Sequence, residues 1–266
     1  MAHLRNKMLL LAALIITIIS SVHTSPAAAD PPSPKQNKDS EHVSSTYLLQ
    51  AVKADLTGDS IPDAIMLSGT NQSPSSGYYD KLNIRVLISS ETRPMDIALP
   101  GGYNPSMQLL DVNGDRINDI CVYVSPDSQG GSPSIVLYTI QDQQPVALPL
   151  PPPLALKGVL KDHYKVPVTI QNTNETYMLE LSERKSLYEA MGYYQNGRLL
   201  QPASIISSGF HKLEPVDRDT DGIWEMKGIQ HIAMLSNDNT IAIAESLWKW
   251  RYGQWTLVYA KIISAS

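Results

Sequence analysis

Beyond residue 46, apolar side chains come in short runs punctuated by Gly, Pro, Asn and Asp. "TYLLQAVKAD", "DAIMLSGT", "KLNIRVLISS", "MQLLDV", "DICVYVS", "SIVLYTI", "KVPVTIQ", "TYMLELS", "GIQHIAML", "TIAIAESLWKW" and "WTLVYAKII" are all rich in β-branched and aromatic residues. Runs of roughly 5–10 residues with this composition predict strands. "LPLPPPLAL" (148–156) interrupts them with four prolines. Proline has no N–H for a ladder, so this stretch predicts an extended connector between two halves. One helix is predicted over 182–191, with Ser182 as N-cap, Leu187, Ala190 and Met191 as its apolar spacing, and Gly192 as its stop. The Asn196-Gly197 pair that follows predicts a hairpin turn.

The first 29 residues read as a secretory leader. Arg5 and Lys7 precede the apolar run Met8–Ile19, and Ala27-x-Ala29 offers a cleavage site before Asp30. That run is short for a spanning helix of about 20 residues. The expectation is therefore a secreted chain with no membrane insertion after cleavage. Residues 30–45, "DPPSPKQNKDSEHVSS", are polar and proline-rich and predict a disordered linker. Loss of Arg5 and Lys7 leaves 19 basic against 26 acidic residues, a formal net charge of −7. Such a balance argues against nucleic acid and against an anionic lipid surface. The single Cys121 cannot form an intrachain disulfide and reads as a buried small hydrophobe. Something other than disulfides must then hold the loops.

Three nine-residue segments supply a candidate. They run Asp55-Leu-Thr57-Gly-Asp59-Ser-Ile61-Pro-Asp63, Asp111-Val-Asn113-Gly-Asp115-Arg-Ile117-Asn-Asp119 and Asp217-Arg-Asp219-Thr-Asp221-Gly-Ile223-Trp-Glu225. Oxygen-bearing side chains fill positions 1, 3, 5 and 9, and isoleucine fills position 7, whose carbonyl adds a further oxygen. Calcium takes six to eight oxygen ligands, so each loop could wrap one ion, up to three in all. Asp/Asn/Gly turns are common in β proteins, but one nine-residue pattern met three times is hard to reach by chance. Carboxylates about 4 Å apart repel by roughly 1 kcal/mol in water and about 4 kcal/mol at an effective dielectric of 20. Three in one loop therefore need a cation or must splay apart. The first loop is the weaker site, with Thr57 at position 3 and Ser60 in place of the usual glycine.

Position 12 of each loop is Met66, Val122 or Gly228, and a strand follows. An EF-hand needs a bidentate Glu there between two helices, which excludes that reading. A carboxylate at position 9, at the base of a hairpin, resembles the FG-GAP and VCBS repeats of integrin-type β-propellers. The resemblance implies one loop per blade, between the first two strands, with the metal at one rim. The loops start 56 and then 106 residues apart, the latter twice 53. A unit without an acidic loop is thus expected near Asp162. The expectation is a mostly all-β, propeller-like array of about four repeats, open or irregular, with units near 46–100, 101–150, 151–204 and 205–266 and one short helix.

Catalytic signatures are sparse. The chain has no G-x-S-x-G, no H-E-x-x-H and no phosphate-binding glycine loop. Of the histidines after the leader (His42, His163, His211, His231), none is paired with another at metal spacing, and His231 reads as a packed strand residue. "WKWRYGQW" (248–255) reads first as a final hairpin with its tryptophans in core and rim, and second as a stacking platform for sugar rings. The functional expectation is a secreted, calcium-binding, non-enzymatic protein that binds an extracellular protein or glycan. A carbohydrate-active enzyme and a purely structural calcium-stabilised protein are the rivals.

Overall fold

The computed structural model describes residues 44–71, 77–128 and 134–264. The leader and all but the end of the linker lie outside the described residues; Ser45 already opens the first strand. Among the described residues, no helix is long and apolar enough to cross a membrane.

Seven strands follow one another in a single antiparallel meander: β1 (Ser45–Ala54), β2 (Asp63–Asn71), β3 (Tyr78–Leu87), β4 (Met95–Leu110), β5 (Asp119–Ser125), β6 (Ser134–Gln141) and β7 (Gln144–Leu148). Alternation sets the inner face, as in β2, where Ile65 and Leu67 are fully buried between half-buried neighbours. The meander curls on itself. Gln50 of β1 reaches past two strands to β4, donating to the Met107 carbonyl at 2.8 Å and accepting from its N–H at 2.9 Å. Leu67, Ile84, Val86, Leu99 and Met107 fill the space inside the curl. β5 serves two cores, with Ile120 and Val122 in this one and Cys121 in the next. Cys121 is fully buried, and burial pushes its thiol up to about 11.

The proline segment separates this sheet from the rest, as its composition predicts. No strand occupies 149–155. Its end is held by Gln230, whose side chain accepts from the Leu154 N–H at 2.6 Å and donates to the Leu154 carbonyl at 3.3 Å. Three short strands, β8 (Leu156–Gly158), β9 (Lys165–Ile170) and β10 (Glu175–Glu180), form a small sheet. A 3-10 turn at Ser182–Arg184 then leads into α1 (Lys185–Ala190). The helix is shorter than its pattern suggests, and Ser182 makes no capping bond. Its buried face is also different: Tyr188 is fully buried, while Leu187 and Met191 are exposed. The tyrosine wins because its hydroxyl has a partner inside, the Asn239 side-chain amide at 3.1 Å.

Asn196 and Gly197, both with positive φ, join β11 (Tyr194–Gln195) to β12 (Arg198–Leu199), the hairpin that this pair predicts. A five-stranded sheet completes the chain. It comprises β13 (Ile205–Ile206), β14 (Lys212–Val216), β15 (Glu225–Met234), β16 (Ser236–Arg251) and β17 (Gln254–Ser264), with β15 pairing β13, β14 and β16.

The mostly-β expectation therefore holds, while the four-blade propeller array is corrected. β4 straddles the junction expected between the first two units and pairs with both β3 and β5, so those units share one open sheet. The segment near Asp162 carries a 3-10 turn and no acidic loop.

Candidate metal centre

Each acidic loop closes an antiparallel hairpin: β1 to β2, β4 to β5, and β14 to β15. All three share one backbone path, with left-handed residues at positions 4 and 6. The φ values are 79° and 65° at Gly58 and Ser60, 81° and 68° at Gly114 and Arg116, and 56° and 84° at Thr220 and Gly222. A left-handed non-glycine costs roughly 1–2 kcal/mol, so something must enforce this path at Ser60, Arg116 and Thr220.

The acidic side chains do so. The position-1 carboxylate accepts the N–H of position 6, from Ser60 to Asp55 at 2.8 Å, Arg116 to Asp111 at 2.8 Å and Gly222 to Asp217 at 3.2 Å. The position-5 carboxylates Asp59, Asp115 and Asp221 accept from Ile61, Ile117 and Ile223, each at 2.8 Å. The position-9 carboxylate accepts from position 2, from Leu56 to Asp63 at 2.9 Å, Val112 to Asp119 at 2.9 Å and Arg218 to Glu225 at 3.1 Å. A carboxylate has about four lone-pair sites, so these bonds leave capacity for an ion. The structure thus turns the acidic side chains at positions 1, 5 and 9 into every loop.

Position 3 differs between the loops. The Thr57 hydroxyl lies 3.5 Å from Asp55, and the Asn113 amide donates to Asp119 and to Thr139. Asp219 instead joins Asp217 and Glu225 in a cluster whose ligand oxygens lie within 4.8 Å of one another, and among the described residues the carboxylates of the first two loops stand further apart than that. The position-9 side chains are buried. Burial pushes Asp119 up to about 6, against the pull of its bonds from Val112, Asn113 and Thr139. A buried carboxylate of this kind gains most from a nearby cation.

The three loops stack side by side. Trp224 N–H donates to the Asp111 carbonyl at 2.7 Å, and Asp111 and Ile223 form a parallel bridge. The position-7 isoleucine of one loop covers the position-4 glycine of the loop before it, Ile117 over Gly58 and Ile223 over Gly114. Ile61 has no preceding loop and is 53% exposed.

Loop charge is handled in two ways. Among the described residues, no basic side chain lies within ion-pair distance of the first- or second-loop carboxylates. In the third loop, Lys249 of β16 reaches Asp219 at 3.0 Å, Asp221 at 2.8 Å and Glu225 at 2.8 Å. Burial pulls the Lys249 ammonium down, but these three carboxylates outweigh it and hold its pKa well above the usual lysine value. Sequence reasoning missed Lys249. The available signal was a lysine set between Trp248 and Trp250.

Two further side-chain groupings are resolved by the fold. His211 and His231, twenty residues apart, stack at 3.9 Å across the β14–β15 hairpin, a pairing that sequence spacing did not reveal. Trp248 is buried and donates to Ser246 at 3.0 Å, and Trp255 donates to the Pro149 carbonyl at 2.6 Å. These two tryptophans serve the core and the proline connector. Between the second and third loops lies a groove of about 670 Å³ that includes Asp111, Arg116, Asn118, Asp221 and Trp224.

Comparison with known proteins corrects the repeat assignment. The YybI C-terminal domain model matches residues 154–263. The chain is also 28% identical over 214 residues to the uncharacterized protein YybI of Bacillus subtilis (strain 168), covering 78% of this chain and 81% of that one. The matching family model is the YybI C-terminal domain and not FG-GAP or VCBS, so the resemblance drawn from the nonapeptides fails. Those nine positions encode a hairpin loop and not a particular repeat family. No solved structure matches the chain.

Proposed function

We propose that this chain is a non-catalytic, calcium-binding β protein that acts outside the cell by holding a protein or glycan partner. One observation carries the metal assignment. The first and second loops each bond three carboxylates to main-chain N–H groups on the same left-handed backbone, with no basic side chain among the described residues to neutralise them. A hard divalent cation with oxygen preference answers that charge, and calcium tolerates the irregular geometry of a flexible loop better than magnesium. In the first loop the donors are Asp55, Thr57, Asp59, the Ile61 carbonyl and Asp63. In the second they are Asp111, Asn113, Asp115, the Ile117 carbonyl and Asp119. The leader read from the first 29 residues supports an extracellular site of action.

The groove beside the second and third loops is the surface best suited to a partner. Trp224 offers an apolar face there, and Arg116, Asn118 and Asp221 offer donors and acceptors. A calcium titration of the metal-stripped chain tests the reading. Asp115→Ala, which deletes a second-loop carboxylate, should remove one ion from the stoichiometry. Asp59→Ala should weaken or remove another. An unchanged stoichiometry in Asp115→Ala would overturn the second-loop assignment. Glycan and protein arrays probed with and without calcium test the partner, and Trp224→Ala should lose any signal found.

A further inference from the structure

We infer that the Lys249 ammonium group is the resident cation of the third loop, so that calcium enters the first two loops and not the third; this rests on reading the loops as calcium sites. Register makes the comparison direct. Extending each hairpin ladder by one residue places Ile88 opposite Asp63, Thr139 opposite Asp119 and Lys249 opposite Glu225. All three are buried, at 3%, 3% and 8% exposure. The same place in the fold thus holds an apolar side chain, a hydroxyl and an ammonium. Position 3 changes in step, with neutral Thr57 and Asn113 in the first two loops and Asp219 in the third. Three carboxylates without a basic partner stand in each of the first two loops. Four carboxylates and one ammonium stand in the third.

The contacts show where the ammonium sits. Its three N–H donors meet oxygens of three different residues, at positions 3, 5 and 9 of the loop. Those are three of the side chains that would coordinate an ion. An ammonium has three donors and no acceptor, so Lys249 is fully engaged, and its buried position leaves little room to withdraw. The remaining loop carboxylate, Asp217, keeps one buried oxygen with no hydrogen-bond partner. That oxygen faces a loop whose charge is already partly answered, and it completes the ligand set if the lysine is removed.

The test uses the full chain, stripped of metal and titrated with calcium chloride by calorimetry, with native mass spectrometry counting ions. Two ions are expected for the wild type and three for Lys249→Met. Asp219→Asn combined with Lys249→Thr gives the third loop the residues of the second at both places. It serves as the second variant should Lys249→Met fail to fold, and it too should bind a third ion. Three ions in the wild type, or no gain in a folded variant, would overturn the assignment of Lys249. A wild type that binds none while Lys249→Met binds one would keep that assignment and overturn the calcium reading of the first two loops.

Discussion

The δ-methyl of Ile117 lies so close over Gly58 that a Cβ on the glycine would fall 2.7 Å from it. Ile223 lies over Gly114 less tightly, with the corresponding distance at 3.5 Å. Both glycines are left-handed, so alanine pays a conformational cost of roughly 1 kcal/mol at either. Gly58→Ala also meets the Ile117 δ-methyl, the free end of a side chain that can turn aside, so the added cost lies at the low end of overpacking, about 1 kcal/mol. Urea unfolding should therefore show a loss of about 2 kcal/mol for Gly58→Ala and about 1 kcal/mol for Gly114→Ala. Equal losses would mean that the first and second loops are not in contact through this pair.

Calcium removal should lower the melting temperature. An ion present at a hundredfold excess over its Kd stabilises the folded state by about 2.7 kcal/mol, so two ions contribute roughly 5 kcal/mol. For a domain of this size, each kcal/mol moves the melting temperature by about 2–4 °C. Adding EDTA should shift melting down by about 10–20 °C, with calcium restoring it better than magnesium. A melting curve indifferent to EDTA would mean that the loops rest on their amide bonds alone.

Acid should cost the protein stability through Glu245. Burial alone would raise this carboxyl, but the Tyr259 hydroxyl at 2.7 Å and the ammonium groups of Lys261 and Lys227 hold it down to about 2. Its folded-state value lies below the ordinary 4.5. The stabilisation is therefore complete above pH 4.5 and is lost as pH falls towards 2. By linkage the loss is on the order of 3 kcal/mol. Glu245→Gln should be destabilised by a similar amount at pH 7 and should match the wild type near pH 2. Parallel stability profiles for the two proteins across that window would refute the assignment.

Gln230→Ala should release the proline connector. The buried Gln230 amide serves both main-chain groups of Leu154, and leaving a buried donor or acceptor unmade costs about 1–3 kcal/mol. A loss of about 2–4 kcal/mol in urea is expected, with quicker proteolysis in the connector. A variant as stable and as resistant as the wild type would mean that other contacts hold the segment.

Elements built from local chemistry were readable before the fold was known. The Asn196-Gly197 turn, the break at Pro149–Pro153 and the three hairpin loops each depend on backbone conformations that a few residues dictate. The sheet order was not. Loop spacing suggested separate units, but nothing in "MDIALPGGYNPSMQLL" shows that both edges of β4 find partners. The face of α1 was misread because the apolar spacing pointed to Leu187, Ala190 and Met191, whereas Tyr188 is the buried residue and its hydroxyl partner, Asn239, lies fifty-one residues away. Lys249 stayed hidden for the same reason. Its acceptors lie on a loop about thirty residues upstream, and strand alternation alone says nothing about what faces a buried lysine.

The stack of loops has a direction, and its two ends differ. Each internal step sets an isoleucine on a glycine, yet the third loop carries Thr220 where the others have glycine, and Ile61 at the opposite end has nothing to cover. Lengthening the series by duplication or by design is therefore possible from one side only. An added hairpin ahead of β1 would need just a glycine at its fourth position to receive Ile61. One added beyond the third loop would meet a branched side chain where its own isoleucine must lie, so growth at that end requires Thr220 to change first.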